Sequence, residues 1–378
     1  MTPRQRLQTV LAGKIPDCVP VAPDFSNMIP ARRTGKPFWQ IYLWNDPPQW
    51  EAYLDTAKFF NIDALPDGFF PLQFPEDVAA AGEPWEPFIV DRSPERLIVQ
   101  WARGSASKRE WSDYASVYYV ADPPTARVPL EKLGLPPVPR RFAPVEGRRE
   151  IDRSPAAFAD YKRRLGDQGM VGAWCAFSVA FSNEEGVYRY YDHPELHEQW
   201  ARERVEAAEQ RFARLMSMPV KPDFLCVGGS GTLVCQTVEM FRKVAFPAVK
   251  RAIELATAAG LPTHIHSCGP EAALMKIMAE ETGLTLIDPL EIPPMGDCDL
   301  ADLKRKYGHK IVLKGNLHTT NVMLRGSVDE VIAASRKAID DAAAGGRFIL
   351  ATGDQCGRDT PDENLRAMIE TARTYGRY

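Results

Sequence analysis

The stretch Pro262-Thr263-His264-Ile265-His266-Ser267-Cys268-Gly269-Pro270 reads as a single strand and its exit. Side chains two apart on an extended segment share a face, so His266 and Cys268 project together. Gly269-Pro270 then breaks the strand and opens the next helix, because proline fixes φ at a value suited to a first helical turn. The amphipathic segment 271–282 follows directly, which makes the whole one β-then-α unit.

Worked outward in both directions, the same alternation recurs. Apolar runs of strand length occupy 18–24, 62–67, 170–177, 223–227, 262–267, 284–288, 310–317 and 347–352. Amphipathic segments lie between them at 194–216, 238–259, 271–282, 328–344 and 362–375. Eight such strands with interleaved helices predict an α/β fold, a (β/α)8 TIM barrel, with residues 1–378 as one domain. Between the second and third strands, residues 68–169 form an insertion at the barrel mouth, serving as a lid or a partner surface. Within it, 96–101 and 116–121 read as strands of a hairpin or small sheet, and prolines concentrate between Pro66 and Pro155. No internal repeat or low-complexity segment is present.

Bulk composition excludes several classes. A chain of 378 residues, 45% hydrophobic and 25% charged, buries a full core. Its formal charge of -4, with basic residues scattered among acids, provides no footprint for nucleic acid. No run of about 18 apolar residues indicates a membrane span, and the first residues, with Arg4 and Arg6, lack the apolar core of a secretory signal. Seven cysteines without a disulfide-like framework fit a reducing compartment, so a cytoplasmic location is expected.

Barrels of this kind carry their chemistry at the C-terminal ends of the strands. The polar residues expected there are Asp24, Asp67, Ser178, Gly228 to Ser230, His266, Cys268, Asp288, Asn316, His318, Asp354 and Cys356. An imidazole beside a thiolate suits Zn2+, which takes nitrogen and sulfur ligands and needs a third from elsewhere. A lone His-x-Cys is more often a packed pair. Cys356, in Gly353-Asp354-Gln355-Cys356-Gly357 after the last strand, brings a further thiol to the same rim. Cys18, Cys175, Cys226, Cys235 and Cys298 sit in or beside apolar runs and read as small buried hydrophobes.

From about Pro219 onward the chain resembles the uroporphyrinogen decarboxylase superfamily, especially its zinc-dependent methylcobamide methyltransferase branch. The resemblance rests on His266-Ser267-Cys268-Gly269, Lys314-Gly315-Asn316-Leu317, Gly345-Gly346-Arg347-Phe348-Ile349-Leu350 and Thr360-Pro361-Asp362-Glu363-Asn364-Leu365, in that order and spacing. It implies zinc held by a His, a nearby Cys and a Cys after the last strand. It also implies a thiol acceptor, and methyl transfer to or from a corrinoid. His266 and Cys268 match the first two ligands. Counted back from Thr360-Pro361, the third position falls on Asp354, two residues before Cys356, so either a carboxylate or a re-registered thiolate completes the set. An oxygen ligand leaves the ion more electrophilic and favours water or an alkoxide over a thiolate. No Asp-x-His-x-x-Gly cobalamin signature occurs, so the corrinoid is expected on a partner protein. A homodimer is what the resemblance implies.

The decarboxylase proper uses no metal and clamps its substrate with an arginine-rich stretch near the N-terminus. Here Ala31-Arg32-Arg33-Thr34-Gly35 stands instead. Arg32 and Arg33 are either an anion clamp or a solvated pair, and Asp67 is a loose match to a substrate-orienting aspartate. Gly228-Gly229-Ser230-Gly231 reads as an anion-binding nest at Gly229 and Ser230, or as a glycine turn required only sterically. It matches neither the Walker nor the dinucleotide signature. His318, past Asn316, is a candidate acid or base, or a hydrogen-bonded structural histidine. Glu184 and Glu185 are a base or ligand at the mouth, or plain surface. Phe38, Trp39, Tyr42, Trp44 and Trp50 line a pocket or pack a core. The expected function is zinc-dependent, corrinoid-linked methyl transfer involving a small-molecule donor or acceptor. The alternatives are a lyase acting on a carboxylated substrate and a non-catalytic binder of a small molecule or corrinoid.

Overall fold

A computed structural model describes residues 1–66, 68, 70–79 and 82–378. The chain divides into two compact units. The larger comprises 1–24, 57–68 and 159–378, and the smaller comprises 25–56 and 69–158.

The smaller unit holds an antiparallel sheet in the order β4-β3-β2-β1-β5: β1 (Glu86–Arg92), β2 (Arg96–Arg103), β3 (Glu110–Tyr119), β4 (Thr125–Pro129) and β5 (Ala143–Pro144). Both strands expected in this region are present, within a sheet larger than a hairpin. Leu97, Val99 and Tyr118 form one buried cluster with Leu43, and Trp39, Tyr42 and Trp44 pack against it. These aromatic residues therefore build a core rather than line a pocket. Arg32 and Arg33 end the helix Met28–Arg33 of this unit.

The larger unit carries a parallel sheet in the order β11-β10-β9-β8-β7-β6. Its strands are β6 (Gly172–Trp174), β7 (Phe224–Cys226), β8 (Thr263–His266), β9 (Leu286–Asp288), β10 (Val312–His318) and β11 (Phe348–Gly353). Six of the eight expected strands are regular. The other two expected strands, around 18–24 and 62–67, form only isolated bridges, Val21 with Leu350 and Ala64 with Gly169. Backbone bonds add to these: Ala22 N donates to Leu350 O at 2.9 Å, Asp63 N to Val21 O at 2.9 Å, and Met170 N to Ala64 O at 3.0 Å. These segments are short and proline-bounded, which limits each to a few ladder bonds.

The side-chain period of two divides each strand between two faces. On one face, near the strand starts, Phe224, Leu286, Val312 and Ile349 join Ala22, Leu65 and Met170. The helix Pro3–Leu11 inserts Leu7, Val10 and Leu11 into the same cluster. Each such side chain stabilises the fold by about 1.5–3 kcal/mol when fully buried. On the opposite face, Ile265, Ile287, Leu313 and Phe348 are fully buried, and the helices Phe246–Ala258 and Val328–Ala342 pack against β8, β10 and β11. No helix among the described residues is long and apolar enough to cross a membrane.

Candidate functional site

Towards the ends of β8, β9 and β10 the first face turns from apolar to charged. Parallel register sets His266 beside Asp288 and pairs Leu313 with Ile287, which brings Lys314 alongside. Asp288 is 3% exposed and binds three cationic or imidazole groups. His264 Nε2 lies 2.8 Å and His266 Nδ1 3.2 Å from its Oδ1, and Lys314 Nζ donates to Oδ2. Burial acts to raise the Asp288 carboxyl, but Lys314, His264 and His266 outweigh it and hold it well below the usual carboxylate range. Asp288 is thus an anion that fixes the His266 ring.

With Nδ1 so engaged, His266 Nε2 faces the Asp354 carboxylate, whose Oδ1 is 3.8 Å away. Asp354 follows β11 with φ of 83° and is part-exposed. Cys356 is fully buried, and its amide donates to Asp24 O at 2.9 Å. Burial, reinforced by Asp24 and Asp354, pushes its thiol up to about 12 against the opposing bonds of Thr352 and Thr360. Of the two candidate third ligands, the carboxylate is therefore the one that meets His266. Cys268 lies one residue past Ser267, which is fully buried and whose amide still bonds Asp288 O at 2.9 Å. Cys268 itself is part-exposed, two residues past the end of β8.

This arrangement suits a zinc ligand in one respect: a metal-binding imidazole ordinarily has its second nitrogen fixed by a carboxylate, as Asp288 fixes His266. The donors are nonetheless not gathered. Among the described residues no three His, Cys, Asp or Glu side chains stand together as a metal-binding group.

Two further carboxyls occupy this end of the sheet. Glu291 accepts from Gly269 N at 2.5 Å. Burial, together with Asp354, raises its pKa despite His266 and His318. Glu271, wholly buried, accepts from Leu290 N at 2.6 Å, while its Oε1 has no hydrogen-bond partner among the described residues. Burial and then Asp288 push its pKa well above the usual range. Neither glutamate was expected from the sequence, nor was the role of Lys314. The lysine left a signal, since a charge in the apolar run Val312-Leu313-Lys314 must be paired if the strand is buried.

The remaining expected residues are placed as follows. Asn316 Nδ2 donates to Leu290 O at 3.1 Å. His318 Nδ1 accepts from the amides of Thr320 and Asn321 at 3.1 and 3.2 Å, capping the turn Thr319–Leu324. Gly229 N donates to His266 O at 2.8 Å. A Cβ on Gly228 would lie 2.4 Å from His266 N, so the glycine run has a steric cause. Ser230 is exposed, and Glu184 and Glu185 are exposed in the first turn of the helix Glu184–Asp192. Cys18, Cys175, Cys226 and Cys298 are buried as expected, whereas Cys235 is exposed. It lies in a turn after the glycine run rather than in a strand, which leaves its side chain in solvent. Arg32 and Arg33 belong to the other unit, and Asp67 lies outside the described residues.

A family model described as uroporphyrinogen decarboxylase (URO-D) matches residues 230–375. The methylcobamide:CoM methyltransferase MtbA of Methanosarcina mazei is 27% identical over 139 residues, which are 36% of this chain and 37% of that protein. MtbA of Methanosarcina acetivorans is 24% identical over the same shares. The match thus spans little more than a third of the length of these curated relatives. A solved methyltransferase from Methanosarcina mazei superposes with a TM-score of 0.58 at 15% identity, covering 99% of both chains, and shares the fold.

Proposed function

We propose, from the premise that this chain belongs through residues 230–375 to the uroporphyrinogen decarboxylase superfamily, that it is a zinc-dependent, corrinoid-linked methyltransferase. His266, Cys268 and Asp354 would hold the zinc. When bound, the ion lowers the pKa of a coordinated acceptor or polarises a methylated donor atom. The observation that carries the reading is the His266 ring, fixed at Nδ1 by Asp288 and turned at Nε2 towards Asp354.

The chain's own groups have distinct tasks in this reading. Asp288 keeps the proton on His266 Nδ1, which leaves Nε2 with its lone pair. Lys314 neutralises Asp288, so that the anion persists although it is buried. Glu291, with its raised pKa, would take or return the acceptor's proton. We read the bonds of 18–24 and 62–66 to β11 and to 168–172 as closing a (β/α)8 barrel. The corrinoid would arrive on a partner protein.

The test is turnover. The zinc-loaded protein is mixed with methylcobalamin and a panel of thiols and phenols while the corrinoid absorption is followed. Demethylation that His266→Ala abolishes is the expected result. Absence of turnover with every acceptor, at full zinc loading, would overturn the proposal in favour of a non-catalytic binder.

A further inference from the structure

The larger unit holds a second concavity, of about 440 Å3, between the segment following β6 and the helices Glu184–Asp192 and His197–Ser217. That volume falls within the range of small-molecule sites, roughly 300–1,000 Å3. Phe181, Trp200, Ala207 and Val244 form its apolar wall, and Arg189 and Arg204 its basic one.

The two arginines differ from their neighbours. Arg202, Arg242 and Arg251 each pair with a glutamate. Arg204 has no carboxylate partner among the described residues. Its Nη2 donates to Ala180 O at 2.8 Å and Val179 O at 3.2 Å, and those carbonyls orient the fork. A guanidinium has five donor hydrogens, so Nε and Nη1 keep theirs for another acceptor. Burial alone pulls the pKa of Arg204 down, with no anion to offset it. Arg189 lies over the Trp200 ring at 5.7 Å and likewise has no ion pair among the described residues. The carboxylate on the wall, Glu203, is engaged by Gln199 Nε2 at 2.8 Å.

We propose that this concavity is a binding site for a small organic carboxylate with a flat apolar body, the carboxylate on Arg204 and Arg189 and the body against Phe181, Trp200, Ala207 and Val244. A guanidinium fork matches carboxylate geometry and forms charge-assisted bonds. The apolar wall separates such a ligand from inorganic anions, which would leave that wall wet. Nothing in this inference depends on a metal at His266.

Calorimetric titration of the full chain with benzoate tests it, with acetate and inorganic phosphate as comparisons. Benzoate is expected to bind one-to-one, and acetate and phosphate about tenfold or more weakly. Arg189→Gln, at an exposed position, and Arg204→Lys, which keeps the charge but loses the fork, are each expected to weaken benzoate about tenfold. His266→Ala is expected to leave it unchanged. No benzoate binding at millimolar concentration, or binding that both arginine variants retain, overturns the proposal. So does binding that His266→Ala abolishes, or phosphate bound as tightly as benzoate.

Discussion

Asp288 is where the site is decided residue by residue. It is buried among Lys314, His264 and His266, and removing one partner strands a charge. Lys314→Met is expected to destabilise the protein by about 3–5 kcal/mol, measured by denaturant unfolding, because a buried ion without its partner is costly. Adding Asp288→Asn to it should recover part of the loss. Glu271 behaves in the opposite sense. Its folded pKa is raised, so its contribution is complete below the unfolded value near 4.3 and is lost as pH rises towards the folded value. Glu271→Gln should therefore match the wild-type thermal midpoint near pH 4 and exceed it increasingly above that. An offset constant with pH would contradict the assignment. His266 and Cys268 were legible from alternation alone. The choice between Asp354 and Cys356 was not, because only Gln355 stands between them, and it is burial and the approach to His266 that distinguish them. Metal analysis tests that choice: zinc content should fall in Asp354→Asn and persist in Cys356→Ala.

At the scale of elements, the glycine run after β7 sets the spacing of two strand ends. A Cβ on Gly228 would meet the His266 amide at 2.4 Å. Gly228→Ala is therefore expected to cost about 1–3 kcal/mol by overpacking, and to displace His266 enough to reduce the proposed methyl transfer at least about tenfold. Thermal unfolding and the corrinoid assay check the two effects. The six regular parallel strands were legible because each is an apolar run bounded by an amphipathic helix. Their ends moved by up to three residues, as at β6, where 170–177 contracts to Gly172–Trp174. The first two strands are less regular than their apolar runs suggested, because the prolines beside them limit each to an isolated bridge, Val21 with Leu350 and Ala64 with Gly169. The turn Phe241–Ala245, wider than an α-helix, lies inside the amphipathic segment read at 238–259, whereas the similar turn Thr319–Leu324 left no period to read.

For the whole molecule, the sequence pointed to one domain with an excursion at 68–169, and the chain's packing groups into two compact units, the smaller joining residues 25–56 to 69–158. Its antiparallel sheet needs an apolar covering, and Trp39, Tyr42, Leu43 and Trp44 provide it. That partnership joins segments far apart in the chain, which local periodicity does not report. The larger unit keeps apolar packing at the strand starts and charge at the strand ends, the polarity on which the functional reading rests. X-ray absorption at the zinc edge of the loaded protein tests that reading most directly. The expected spectrum has one sulfur scatterer at about 2.3 Å, from Cys268, with nitrogen and oxygen neighbours from His266 and Asp354. Two sulfur scatterers, or a protein that retains no zinc, would contradict it.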